Sequence, residues 1–191
     1  LKNYFTEDNH YLSNSKISDY LKSPYYFYRK DILHEIEKEQ TNAMALGSAI
    51  DYLLAQDDNK PKYVVVDRRN LKNPPKDYIE VNQTQYDEII EVANAVAMTD
   101  LFKDIDKKFL KQQVLTIDKK IGDHFFGLCG IPDYLLVDGE IAIIIDLKTS
   151  QTTDIEKYYW HCLQFGYFRQ QAHYQKLVRH NFPQVKTIVS Y

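Results

Sequence analysis

The chain reads as an α/β protein with a mixed central β-sheet flanked by α-helices. Three observations predict this. Helical-period segments and short apolar runs follow one another in the order helix, helix, strand, helix, strands, helix, strand. Asp138-Gly139 lies between two apolar runs, the two-residue signature of a tight hairpin. Residues 155–179 carry a long amphipathic pattern that a sheet can bury on one side.

Composition bounds the rest. With 191 residues, 44% of them hydrophobic, the chain can bury one sizeable core, so a single domain over 1–191 is expected. A formal charge of −3 sets up no global basic field, and a nucleic-acid partner would need a local patch. The 16 tyrosines read as the periphery of a core rather than a stacking platform for bases. Two cysteines, Cys129 and Cys162, cannot complete a four-cysteine zinc or iron–sulfur site and do not suggest a secreted disulfide scaffold. No apolar run approaches the ~20 residues of a membrane span and no signal peptide is visible, so a cytoplasmic setting is expected. The chain opens on Leu1 rather than Met, which suggests an excised domain.

The elements follow in order. Asn14 and Ser15 offer an N-cap to a helix through "KISDYLKSPYYFYRK", which Ser23-Pro24 should break or kink. In "AMALGSAIDYLLAQ", Leu46, Ile50, Leu53 and Leu54 recur at helical spacing, and Gly47 among small residues permits close packing. "KYVVVD" reads as a strand. "RRNLKNPPKD" reads as a Pro-containing loop whose Arg68, Arg69, Lys72 and Lys76 are either a solvated surface or contacts to a phosphate backbone. Residues 84–98 read as a helix with a broad apolar face, and strand-like segments follow at 109–117, 124–129, 132–137 and 141–147. "KTIVSY" begins a last strand.

The run Ile141–Ile145 ends abruptly in Asp146-Leu147-Lys148, and a buried strand has no structural use for two opposite charges at its tip. If Asp138-Gly139 is the loop of a type I′ hairpin, Asp133 falls opposite Ile144 and becomes a diagonal neighbour of Asp146. Alternation then places Asp133, Asp146 and Lys148 on one face, where two carboxylates can converge on one hard cation. Asp-x-Lys occurs four times, at 58–60, 106–108, 118–120 and 146–148, and the first three lie in polar surroundings. Only the fourth follows a buried-type strand with a second acid on its partner. The alternative is a buried ion-pair cluster, which costs desolvation and seldom adds stability.

Asp133 followed by "DLK" at 146–148 resembles the core of the PD-(D/E)XK nuclease superfamily. "LGSAIDYLL" resembles the GxAxHxLL helix of RecB-like and RecE-like nucleases, and "GLCGIPDYLL" is similar to their GxxDxL strand. "DLKTS" resembles their D-x-K-T strand, and "FGYFRQQAHY" their Q-x-x-x-Y helix. "YLSNSKISDYLKSPYYF" resembles the N-terminal helix of the phage RecE (exonuclease VIII-type) branch, the nearest fit. These matches run from about Tyr11 to Tyr174 in the family's order.

The resemblance implies a restriction-endonuclease-like core and a magnesium-dependent exonuclease acting on duplex DNA ends in phage-type recombination. It implies Asp133, Asp146 and the Leu147 carbonyl as magnesium ligands, with manganese as a substitute, and Lys148 positioning or deprotonating the attacking water. Gln170 and Tyr174, four apart on one helical face, would support the site; an ordinary amphipathic helix edge is the alternative. Asp51 stands where the family's helix usually carries His, and is either a further oxygen ligand or an exposed surface acid. Also implied are a homo-oligomer and a single-strand annealing recombinase as partner. The family commonly continues past the strand near Thr187, so a C-terminal truncation is expected. Gly127 and Gly130 allow either approach of backbone to a phosphate or a twist in the strand. Thr149 and Ser150 either donate to a DNA phosphate or cap the following helix. His161 and His173 have no partner at ligand spacing and are not read as metal ligands. With no P-loop, no nucleotide is expected.

Two alternatives remain from the residues. A RecB-like or CRISPR-associated nuclease fits the same motifs, although its iron–sulfur members need four cysteines. A catalytically silent DNA-binding module of the same fold is disfavoured because both acids and the lysine are present.

Overall fold

A computed structural model of the chain describes residues 11–37, 42–55, 63–66, 78–100, 102–103, 108–121, 124–150 and 152–191. The chain divides into two compact units, one drawn from Leu1–Lys38, Leu110–Asp146 and Ser150–Tyr191, the other from Glu39–Phe109 with Leu147–Thr149. The first unit opens with a short strand β1 (Tyr11–Leu12) and helix α1 (Asn14–Lys22). Its cap is Ser13, one residue before the expected pair: the Ser13 hydroxyl accepts the Lys16 N–H at 3.3 Å. Ser23-Pro24 breaks the helix as expected. Extended Ser23 ends α1, and its hydroxyl then caps α2 (Pro24–Phe27) by accepting the Tyr26 N–H at 3.2 Å. Pro24 fits because a first-turn N–H has no helical partner to lose.

In the second unit, α3 (Asn42–Ala55) is followed by strands β2 (Tyr63–Val66) and β3 (Tyr78–Val81), paired in parallel with Tyr63 beside Tyr78. The sequence reading missed β3, a four-residue run lying just after the Pro-containing loop. Helix α4 (Gln83–Ala97) starts at a reciprocal cap: Asn82 accepts the Gln85 N–H, and the Gln85 side chain accepts the Asn82 N–H, both at 2.9 Å. Among the described residues, Ala49, Ile50, Leu54, Ile89 and Ala93 are the buried apolar residues of these two helices.

The remaining strands belong to the first unit: β4 (Leu110–Lys111), β5 (Leu115–Ile121), β6 (His124–Gly130), β7 (Tyr134–Asp138), β8 (Ile141–Ile145) and β9 (Thr187–Ser190). They form not one mixed sheet but two, ordered β1-β6-β5 and β4-β7-β8-β9. Each is mixed: β1 runs parallel to β6 and β9 parallel to β8, while the other neighbours are antiparallel. Two breaks separate the sheets. Pro132, fully buried between β6 and β7, has no N–H to give a ladder. Between β4 and β5, Gln112 turns the chain with a positive φ of 50°.

The hairpin turns one residue later than expected. Gly139 and Glu140 form the loop, with Asp138 paired to Ile141 and Val137 to Ala142. Only Gly139 has a positive φ, 55°, so the signs fit a type II′ turn rather than I′. The pairing moves by two residues, which leaves every side chain on its expected face.

The long helix expected over 155–179 is two helices, α5 (Ile155–Phe165) and α6 (Tyr167–Asn181). Gly166 separates them at φ 70°, a left-handed conformation that glycine adopts without Cβ strain. Helix α6 supplies Tyr174, Leu177 and Val178 to a core shared with Leu115 and Ile117 of one sheet and Leu135 and Ile144 of the other. One helix thus covers both sheets.

Gly127 and Gly130 serve this packing rather than a phosphate. A Cβ on Gly127 would strike the Tyr11 ring and come within 2.9 Å of the Ile117 carbonyl oxygen. A Cβ on Gly130 would lie 2.8 Å from both Leu177 and the Tyr174 ring. Gly130→Ala is therefore expected to destabilise the fold by about 1–3 kcal/mol through overpacking. A urea midpoint equal to wild type would show that the helix can shift away freely.

Candidate active site

The site is built at the end of the core row. Leu135 and Val137 face across to Ile144 and Ala142 on the side covered by α6, and the alternation continues outward to Asp133 and Asp146. Since Tyr134 pairs with Ile145, one further step sets Asp133 directly opposite Asp146, closer than the expected diagonal. Directly opposed positions have Cβ atoms about 4.5–5.5 Å apart. Both residues are only partly exposed, and Asp146 Oδ2 is buried. Two carboxylates at this spacing repel one another unless a cation or a proton lies between them.

Neighbouring strands fix the pair. The Asp146 N–H donates to the Tyr191 carbonyl at 3.2 Å, and the Tyr191 N–H donates to the Ile144 carbonyl at 3.0 Å. The C-terminal strand therefore holds the tip of β8 in place. On the other side, the Gln112 N–H donates to the Asp133 carbonyl and the Gln112 amide donates to Asp133 Oδ1, each at 2.9 Å. Gln112 went unread in the sequence, where a polar residue between two short strands carries no signal.

From α6, Gln170 donates to the Tyr174 hydroxyl at 2.9 Å, and that hydroxyl donates to the Ile131 carbonyl at 3.1 Å. Tyr174 is buried, and burial raises its pKa far above the usual phenol range, with the charges of Asp146 and Asp133 adding to the shift. The phenol therefore stays protonated at any working pH. It is a neutral group beside both carboxylates, with its one proton given to the Ile131 carbonyl.

Of the residues singled out from sequence, the first unit brings together Asp133, Asp146, Gln170 and Tyr174. Leu147, Lys148 and Thr149 belong to the second unit, as does Asp51. There, a Cβ on Gly47 would meet Thr149 Oγ1 at 3.6 Å, so α3 packs against the 147–149 segment. Asp51, one turn further and half-buried, shares that helix face. Ser150 accepts the Thr152 N–H at 3.3 Å, and the cap of α5 is Asp154, so neither Thr149 nor Ser150 caps that helix. Arg68, Arg69, Lys72 and Lys76 lie outside the described residues.

His173 is a core residue. Its Nε2 donates at 2.8 Å to the Cys129 carbonyl, which can only accept, so the neutral ring carries its proton on Nε2. Burial lowers its pKa below the ordinary histidine value. The unfolded chain then binds a proton that the native state refuses, so stability present above about pH 6.5 falls as the pH drops below it. Denaturant titrations from pH 7.5 to 5.5 should show this loss, and His173→Gln should flatten it. An unchanged slope in the variant would assign the loss to other groups. Cys129 and Cys162 are both buried.

Among the described residues, no cluster of three or more His, Cys, Asp or Glu forms a protein-only metal cage. The opposed acids nonetheless fit a hard divalent ion. Magnesium commonly keeps several waters and takes only one or two carboxylates from the protein.

An acid pair opposed at the end of two adjacent antiparallel strands is an arrangement that can hold one hard divalent ion. A family model of the PD-(D/E)XK nuclease superfamily matches residues 11–189, and the chain belongs to that superfamily. The two mixed sheets flanked by helices are consistent with its restriction-endonuclease-like fold. Membership implies nuclease activity on DNA with a divalent metal, typically magnesium. No curated protein sequence matches the chain. No described helix is long and apolar enough to cross a membrane.

Proposed function

We propose that the chain is one nuclease domain, a magnesium-dependent exodeoxyribonuclease that hydrolyses phosphodiester bonds at duplex DNA ends. The observation that carries the hydrolytic reading is the direct opposition of Asp133 and Asp146 at the end of the core row, two residues before Lys148. Asp133, Asp146 and the Leu147 carbonyl would hold the ion, with Asp51 as a further oxygen donor in place of the histidine usual there. Manganese would substitute for magnesium. When bound, the ion supplies positive charge to the phosphate oxygens as attack proceeds.

The chain's own groups do the rest. The Lys148 ammonium orients the attacking water and offsets negative charge building on the phosphate. Tyr174, held protonated, places a neutral group beside the two acids, and Gln170 fixes that hydroxyl. Arg68, Arg69, Lys72, Lys76, Thr149 and Ser150 are the candidates for contacting the DNA backbone. The preference for ends, a role in phage-type recombination, a single-strand annealing recombinase as partner and a homo-oligomeric state all rest on the likeness of the motifs to the RecE-like branch.

The test is digestion of linear, nicked and closed circular duplex DNA with magnesium, manganese, calcium or no metal. Linear DNA should be degraded with magnesium or manganese and the closed circle spared, with calcium bound but giving no turnover and added nucleotide changing nothing. Equal cutting of the closed circle would make the enzyme an endonuclease. A folded protein inactive on all three substrates with every metal would favour the silent DNA-binding module.

A further inference from the structure

We propose that Gln112 is the positioning residue of the acidic pair: it sets the Asp133 carboxylate for the divalent ion. The inference rests on the nuclease reading above and goes beyond its motif residues. Gln112 immediately follows β4, whose Lys111 pairs with Tyr134, so it lies level with Asp133 on the neighbouring strand. It holds Asp133 at two points. Its N–H donates to the Asp133 carbonyl, extending the β4–β7 ladder by one bond, and its Nε2 donates to Asp133 Oδ1, each at 2.9 Å.

The backbone argues that the side chain matters. Gln112 adopts φ 50°, where a non-glycine residue is strained and glycine is not. Turning the chain from β4 towards β5 calls for glycine at this position, yet a long amide occupies it and reaches the acid. Asp133 and Asp146 each lie one residue outside their strands, and each makes one backbone bond to a neighbouring segment, Asp146 to Tyr191 and Asp133 to Gln112. A backbone bond does not set a side-chain rotamer, and at Asp133 the same residue that makes the backbone bond also reaches the carboxylate. The amide supplies that constraint. A carboxylate freed to rotate would spend less time in the orientation that faces Asp146, and the ion would bind more weakly.

Gln112→Gly separates this role from a structural one, because it relieves the backbone while deleting the amide. The measurements are the magnesium dissociation constant by calorimetry, the urea midpoint, and the magnesium dependence of DNA cleavage. The variant should match or exceed wild-type stability, as expected when glycine replaces a residue at positive φ. It should also bind magnesium about 10–100-fold more weakly, the usual effect of removing a partner that orients a metal-ligating side chain. Cleavage should recover as magnesium is raised, with KM for DNA unchanged. Wild-type magnesium affinity in a stable Gln112→Gly protein would overturn the role of Gln112 and leave the acid pair as the metal site. A wild-type protein that binds no magnesium would overturn the metal reading itself, and this inference with it.

Discussion

Lys148→Ala is expected to abolish DNA cleavage, by about 10²–10³-fold or more, while magnesium and DNA still bind. In the proposed mechanism the ammonium acts on the water and on charge that develops only during attack, so its loss would fall on turnover rather than on the ground state. Asp146→Ala should be as inactive for a different reason. One carboxylate alone holds magnesium weakly, so both metal binding and cleavage are lost. The pair of variants therefore separates the two roles by titration calorimetry with magnesium and a cleavage assay on linear DNA. A folded Lys148→Ala protein that cuts at the wild-type rate would refute the mechanism.

Leu177→Ala should give the largest loss of stability. Leu177 is 0% exposed and lies in the cluster where α6 meets residues of both sheets. Truncating such a leucine costs about 2–5 kcal/mol, since the lost burial is compounded by the cavity left behind. Against a typical total of about 5–15 kcal/mol, that is a large share. The urea midpoint should fall accordingly, and the melting temperature should drop by roughly 10 °C. A shift below about 1 kcal/mol would mean that the helix does not depend on this contact. Because the same helix carries Gln170 and Tyr174, activity should fall with stability and recover at lower temperature.

By itself, the sequence determined that the β7–β8 hairpin exists and which faces its strands present. The alternation of Leu135, Val137, Ala142 and Ile144 set one side of the hairpin towards the core, and Asp133 and Asp146 on that same side. That result survived a register moved by two, because side chains repeat every second residue and only an odd slip exchanges faces. The family motifs were legible for a related reason, as they sit on strand tips and a helix face whose periods are local. Tertiary structure decided what local pattern leaves open. Asp133 sits directly opposite Asp146 rather than diagonal to it, because the turn falls at Gly139-Glu140, a choice of loop that Asp138-Gly139 did not dictate. One amphipathic stretch became two helices because Gly166 could take a left-handed conformation, which the apolar period does not register. The described strands of the first unit divided into two sheets at Pro132 and Gln112, where the ladder loses a donor and the chain turns. Gln112 itself was invisible beforehand, since its bond to Asp133 spans 21 residues and depends on β4 meeting β7. Contacts made across the fold leave no period in the chain, and only the packed structure shows them.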